Sequence, residues 1–356
     1  MSTILGFFVL VIAVHVLRIL IVNWKTSPKN HEVFDGELLQ VEECVVALKR
    51  PQGKKPVRTI VGMHGFLEDH RYFTDHYGKV TDAELILINS CGYHPPNTVI
   101  VPQEAPWSKT VPFTPGSIEY DAAVLIQAVE NLASTSRLRV HGHSRGGAVV
   151  LEAARQRPDL FKKAEAILEA PILPEAPVFA DSGLRAVFDR AYLYFFPFAA
   201  ALFNITGLPR FVMKNLGPLG DRKATMLRSL FNNPKSPGIL VQNLLHIARW
   251  PQDRTVDLFD GFASGTILIG EQDHILSRRR MLASAQRNKG NLQVVETTGT
   301  DHFILLERPE LIPALPVVAG RSGATAKPKS PRRAAKTRKP AEKATQAKTQ
   351  PAVSKT

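Results

Sequence analysis

The stretch RLRVHGHSRGGAVVLEA, residues 137–153, changes character at its centre. Leu138 and Val140 alternate with Arg137 and Arg139, the period of a short strand, and residues 148–156 (AVVLEAARQ) are rich in helix formers. Between them, Gly142, Ser144 and Gly146 set one serine in a G-x-S-x-G frame. The pentapeptide alone arises by chance in about one chain in ten of this length. Strand, glycine turn and helix in that order give it meaning. Such a turn lifts a hydroxyl clear of the backbone, and its glycines allow contacts that a side chain would forbid. The backbone N–H of Arg145, at the helix start, would then point at an oxyanion formed beside Ser144.

Around this stretch, short apolar runs alternate with helical patterns. Residues 38–49 read as strands with a hairpin break, and 57–66 (VRTIVGMHGF) as a strand entering a glycine turn, with a helix following through about Val80. Further strands are expected at 83–90, 164–173, 265–270 and 292–297, and a helix at 117–133 capped by Ser117. The pattern predicts an α/β fold, a mostly parallel sheet flanked by helices, with chemistry at the C-terminal ends of its strands. The alternation fails between Pro174 and about Leu258, which reads as an inserted helical cap. Its aromatics have two readings, packing against the core or lining an apolar pocket; Tyr194, Phe195 and Phe198 are the residues expected to meet substrate.

The chain carries a net charge of +13, but Arg321–Thr356 holds eleven Lys/Arg against one Glu, leaving only +3 for the preceding 320 residues. That Lys-, Ala- and Pro-rich tail has almost nothing to bury and is expected to be disordered, either solvated or drawn to anionic lipid or nucleic acid. Two cysteines, Cys44 and Cys91, are too few for a disulfide framework. At the other end, residues 4–22 are apolar except for His15 and Arg18, nearly enough to span a bilayer as a helix. Arg18 lies near one end, where it can snorkel. There is no basic n-region and no small-x-small site before Lys25, which favours an anchor over a cleaved signal. Arg18, Lys25 and Lys29 all follow the apolar run, so the charge rule places the domain on the cytoplasmic side of a single-pass anchor. The expected organisation is an anchor at 1–24, a core at 25–173 and 259–320, a cap at 174–258 and a tail at 321–356.

A nucleophilic serine needs a base, and the base a carboxylate to fix its tautomer. His302 follows the last strand-like segment, where a loop can reach back over Ser144; Asp273 stands three residues past a strand. Glu271 and Asp301 compete with Asp273. Asp301 adjoins His302 and would struggle to turn onto its ring. The order Ser…Asp…His, with His64-Gly65-Phe66 after the first long strand, Gly142-His143-Ser144-Arg145-Gly146-Gly147, Gly270-x-x-Asp273 and Gly299-x-x-His302, resembles the α/β-hydrolase superfamily over residues 57–310 outside the cap. The resemblance implies an oxyanion hole from the N–H groups of Phe66 and Arg145, and neither a metal nor an organic cofactor. Relatives that open epoxides or displace halides carry an aspartate where this chain has Ser144. Asp301, immediately before His302, either faces solvent or raises that histidine's basicity.

The expectation is thus a membrane-anchored serine hydrolase acting on a lipophilic carboxylic ester through an acyl-enzyme. Acyl transfer or thioester cleavage would use the same residues. A tethered, non-catalytic scaffold binding polyanions through its tail is the reading from a different class.

Overall fold

The computed structural model describes residues 2–29, 32–96, 99–180 and 182–316; the basic tail lies outside these. Helix α1 (Ser2–Val22) is followed by the hairpin β1 (Glu37–Val41) and β2 (Cys44–Lys49), then β3 (Arg58–Met63), α2 (Arg71–Tyr77), β4 (Ala83–Asn89) and the two-residue β5 (Gln103–Glu104). Next come α3 (Ile118–Leu132), β6 (Leu138–His143), α4 (Arg145–Gln156), α5 (Pro158–Phe161) and β7 (Glu165–Glu169). Four helices form the insertion: α6 (Gly183–Thr206), α7 (Arg210–Lys214), α8 (Asp221–Ser229) and α9 (Pro237–Asp253). The core resumes with β8 (Ser264–Gly270), α10 (Arg278–Ala285), β9 (Leu292–Thr297) and α11 (Ile304–Glu307).

The strands make one sheet in the order β5-β1-β2-β4-β3-β6-β7-β8-β9. Only the β1–β2 and β2–β4 pairs are antiparallel. All seven residues of β4 and all six of β6 are buried, as expected for strands covered by helices on both faces. From β3 the chain steps to β4 on one side, then returns through α3 to β6 on the other. The C-terminal ends of β3 and β6 therefore flank the point where the winding direction reverses, which is where open α/β sheets bind ligands. Ser117 caps α3 as its position predicts, its side chain accepting from the Tyr120 N–H at 3.0 Å.

The helix after β3 is shorter than the periodicity suggests, because residues 64–70 form a loop instead. Leu67 sits there at φ 69°, unusual for a branched side chain. Tyr93 and Asn233 hold it: the Leu67 N–H donates to the Tyr93 hydroxyl at 3.1 Å, and its carbonyl accepts from Asn233 Nδ2 at 2.7 Å. Arg18 is tied to α6. Its Nε donates to the Tyr194 carbonyl of α6 at 2.9 Å, and its guanidinium lies 4.7 Å from the Tyr194 ring centroid. His15 Nδ1 meets the same residue's hydroxyl at 3.1 Å. His15 and Arg18 of α1 thus point into a helix–helix contact.

Candidate active site

The turn from β6 into α4 is held tightly. Ser144 takes φ 53° and ψ −118°, a conformation that costs a non-glycine residue on the order of 1–3 kcal/mol. The glycines around it are there for space. A Cβ on Gly146 would fall 2.0 Å from the Met63 carbonyl oxygen, one on Gly142 2.5 Å from the Gly146 oxygen, and one on Gly147 2.5 Å from Pro171. Backbone bonds fix the strained residue. Its N–H donates to Glu169 O at 2.9 Å, and its carbonyl accepts from Ile172 N and Gly147 N, each at 3.0 Å. The Ser144 side chain forms no hydrogen bond to the described residues.

The loop after β3 lies alongside, close enough that a Cβ on Gly65 would come within 2.9 Å of the Ser144 Cβ. His64 secures that loop. Its Nε2 accepts from Ser90 N at 3.0 Å, so its Nδ1 is the nitrogen that donates to the Gly65 carbonyl, at 2.7 Å. Burial lowers the His64 pKa, against the raising influence of that carbonyl, which suits a neutral ring with one donor and one acceptor. Neither the Phe66 N–H nor the Arg145 N–H donates to an acceptor among the described residues; for Arg145 this follows from its place as the first residue of α4. The Arg145 side chain is committed elsewhere, with Nη1 on Asp121 at 2.6 Å and Nη2 on the Gly116 and Ser117 carbonyls, each at 3.1 Å.

The structure brings Asp273 and His302 together: His302 Nδ1 and Asp273 Oδ2 are 2.8 Å apart, and both side chains are buried. The other Asp273 oxygen accepts from Ile275 N and Leu276 N, each at 2.8 Å. Burial, the largest influence, pushes this carboxyl up, but the His302 ring and the two N–H donors outweigh it and hold the pKa below the ordinary value. Of the competing acids, Glu271 accepts from Gly299 N at 3.0 Å. Asp301 neither faces solvent nor touches the His302 ring. It is buried, bonded to His274 Nδ1 at 2.6 Å and to the His302 backbone N–H at 2.7 Å. It shapes the loop that presents His302.

His143, the residue before Ser144, reaches that same loop. Its Nε2 lies 2.9 Å from the His302 carbonyl and its Nδ1 2.9 Å from Glu68 Oε2. Glu68 in turn accepts from the Gly65 N–H at 2.7 Å. Sequence reasoning missed both residues. His143 stood inside the decisive motif, but no spacing rule ties it to a glutamate 75 residues upstream.

The three cap aromatics singled out from sequence are not placed over Ser144. Tyr194 is occupied by α1, Phe195 faces outward with 53 % of its surface exposed, and Phe198 is a half-buried neighbour of Phe195, their ring centroids 6.1 Å apart. Helical phase turns Phe196 inward instead. Its ring centroid lies 6.0 Å from that of Phe66, with Tyr192 and Phe231 beside it. The helix is apolar nearly all round, so composition could not tell its inner face from its outer one.

These features define an α/β hydrolase. Residues 60–314 match the model of the alpha/beta hydrolase family, and the chain belongs to that family. No curated protein matches it. Among solved structures it is similar to an esterase from Exiguobacterium antarcticum (TM-score 0.57, 13 % identity, 77 % of this chain and 95 % of that one covered). It is similar also to a thermophilic esterase from Thermogutta terrifontis (TM-score 0.51, 18 % identity, 81 % and 94 % covered). It is similar also to a bromoperoxidase from Bacillus anthracis (TM-score 0.52, 13 % identity, 75 % and 91 % covered). At such identities the likeness is one of fold, and the chemistry has to be argued from the site.

Proposed function

We propose that the protein is a serine hydrolase that cleaves a lipophilic carboxylic ester through an acyl-enzyme. The observation that carries this reading is the buried Asp273–His302 pair, bonded through the His302 carbonyl to the residue next to a strained Ser144. His302 Nε2 takes the Ser144 proton as Oγ attacks the acyl carbon, and Asp273 holds the Nδ1 proton and stabilises the resulting imidazolium. The unused N–H groups of Phe66 and Arg145 donate to the oxyanion, each worth about 3 kcal/mol in the transition state. The leaving alcohol departs with the proton from His302. Water, deprotonated by the same ring, then releases the acid. Strain at Ser144 and an Oγ free of other partners suit a nucleophile awaiting substrate, since the Ser–His bond often tightens only in the complex.

The lipophilic substrate and a membrane location rest on one apolar surface. Thr3–Val22 has the length and composition to cross a bilayer. Its C-terminal half is bound to α6 through His15 and Arg18. Beside that contact, Leu184, Val187, Phe188, Phe195, Leu202 and Ile205 of α6 are exposed, all within roughly a 100° arc of the helix. The inner face of the same helix places Phe196 against Phe66. An acyl chain leaving a bilayer around α1 would thus meet α6 before Ser144. The domain is proposed to lie on the cytoplasmic side, with the +10 charge of residues 321–356 drawn to anionic lipid or nucleic acid.

Hydrolysis of a p-nitrophenyl ester series by the full chain in mild detergent, beside Ser144→Ala, tests the reading. Turnover that rises with acyl length and vanishes in the variant supports it. Activity on short chains alone removes the lipophilic substrate, and acyl products formed with added alcohol or amine would move the reaction to acyl transfer.

A further inference from the structure

We propose that Glu68 and His143 form a buried, charged latch that sets the relative position of the oxyanion loop, Ser144 and the His302 loop. Both act as positioning residues for the reaction proposed above, on which this inference rests. Each ring nitrogen of His143 meets a group that is a hydrogen-bond acceptor, the Glu68 carboxylate at Nδ1 and the His302 carbonyl at Nε2, both at 2.9 Å. A neutral imidazole carries one N–H and leaves one of these contacts as lone pair against lone pair. With the Glu68 side chain ionised, only the imidazolium satisfies both.

The surroundings favour that charge. Burial, the largest influence, opposes it, but the carboxylates of Glu68 and Glu169 outweigh burial and raise the His143 pKa to about 9. The Tyr72 ring from α2 stacks on His143 at 4.3 Å, with its hydroxyl turned away onto Glu169 at 2.6 Å. His141, on the same strand, is bonded to Glu169 at 2.9 Å. From the C-terminal loop the rings of His302 and Phe303 approach to 4.9 and 5.6 Å. Beyond Phe303 lies the buried Lys223–Glu307 pair, its ammonium 5.0 Å from that ring.

The same Glu68 oxygen that accepts from His143 accepts from the Gly65 N–H, next to Phe66. One ion pair therefore joins three pieces of chain: the loop bearing the Phe66 donor, the strand end bearing Ser144 and the loop bearing His302. The latch is closed while His143 keeps both N–H groups. When the imidazolium loses a proton, one N–H disappears and one of the two links opens.

The test is the rate at which a fluorophosphonate labels Ser144 in the full chain, followed with pH, for wild type, His143→Gln and Glu68→Gln, with Ser144→Ala as blank. Wild type should show an alkaline fall in labelling centred near pH 9. Both variants should label about 10- to 100-fold more slowly, the loss expected of a small misplacement of reacting groups, and His143→Gln should lack the fall near that pH. Ester KM should move less than kcat. Wild-type labelling that stays level through the whole alkaline range in which the protein remains folded overturns the proposal without need of a variant. So does a folded His143→Gln that labels at the wild-type rate or keeps the wild-type alkaline limb. No labelling of wild type at all would count against the nucleophile itself, a different result from intact labelling that is indifferent to the latch.

Discussion

Strand β6 carries two histidines two residues apart, His141 and His143, and they behave oppositely. Both are fully buried and each lies 2.9 Å from a glutamate oxygen. Yet burial wins at His141, whose pKa is lowered despite Glu169, while carboxylates win at His143, whose pKa rises to about 9. The second nitrogen of each ring shows a matching difference. At His141 it meets the Tyr77 hydroxyl at 2.9 Å, which can donate as well as accept, so the neutral ring is fully satisfied. At His143 it meets a backbone carbonyl, which only accepts. His141 is also held down by the charge on its neighbour. Equal burial leaves these two histidines on opposite sides of the ordinary pKa, and the carboxylate charge around each ring makes the difference.

Removing the machinery that His143 serves gives the largest effect expected. Ser144→Ala should abolish ester turnover in the folded protein, leaving at most the residual rate of binding and oxyanion stabilisation. Asp273→Asn keeps the shape of the pair but not its charge, and should lower kcat by about 10³- to 10⁴-fold, read in the same assay.

The histidines themselves come next. His143→Gln should slow Ser144 labelling about 10- to 100-fold, whereas His141→Gln should leave the pH profile of labelling unchanged and cost stability alone. If both variants shift the profile alike, the contrast between them fails. A related expectation concerns stability. Because the folded pKa of His143 lies above its ordinary 6.5, its contribution is fully present below that value and is lost as pH rises through about 9. Chemical denaturation should show wild type losing roughly 3 kcal/mol across that window, and His143→Gln losing less.

Smaller still is the effect of charging the outer face of α6. Phe195→Lys should leave hydrolysis of a soluble short ester within about twofold of wild type, since surface changes away from a site cost little. It should lower turnover of an ester carried in liposomes. Equal rates on both would separate the exposed stripe from substrate delivery. Deleting residues 321–356 should leave ester turnover intact and weaken binding to anionic vesicles.

Much of the core was legible because buried parallel strands must be continuously apolar and their turns must use glycine. The strands at β3, β4, β6, β8 and β9, the Ser117 cap and the helical insertion all follow from such patterns. The Asp273–His302 pairing was legible from its place after successive strands. The contacts of α6 were not, because a helix apolar on every side gives no phase, and its partner α1 lies far away in sequence. Asp301 could not be read either. Its buried bond to His274 depends on a loop conformation that no local preference specifies. Glu68 was equally silent, since a glutamate near a glycine turn looks like surface until the fold buries it.

The most direct test of the account is to mix the full-length protein with a long-chain p-nitrophenyl ester, quench early, and map the acylated peptide by mass spectrometry. One acyl group is expected, on Ser144, building up with the first turnover and then decaying as product acid is released. Acylation at another residue, or turnover with no covalent species at Ser144 under conditions that should trap it, would contradict the assignment at the end of β6.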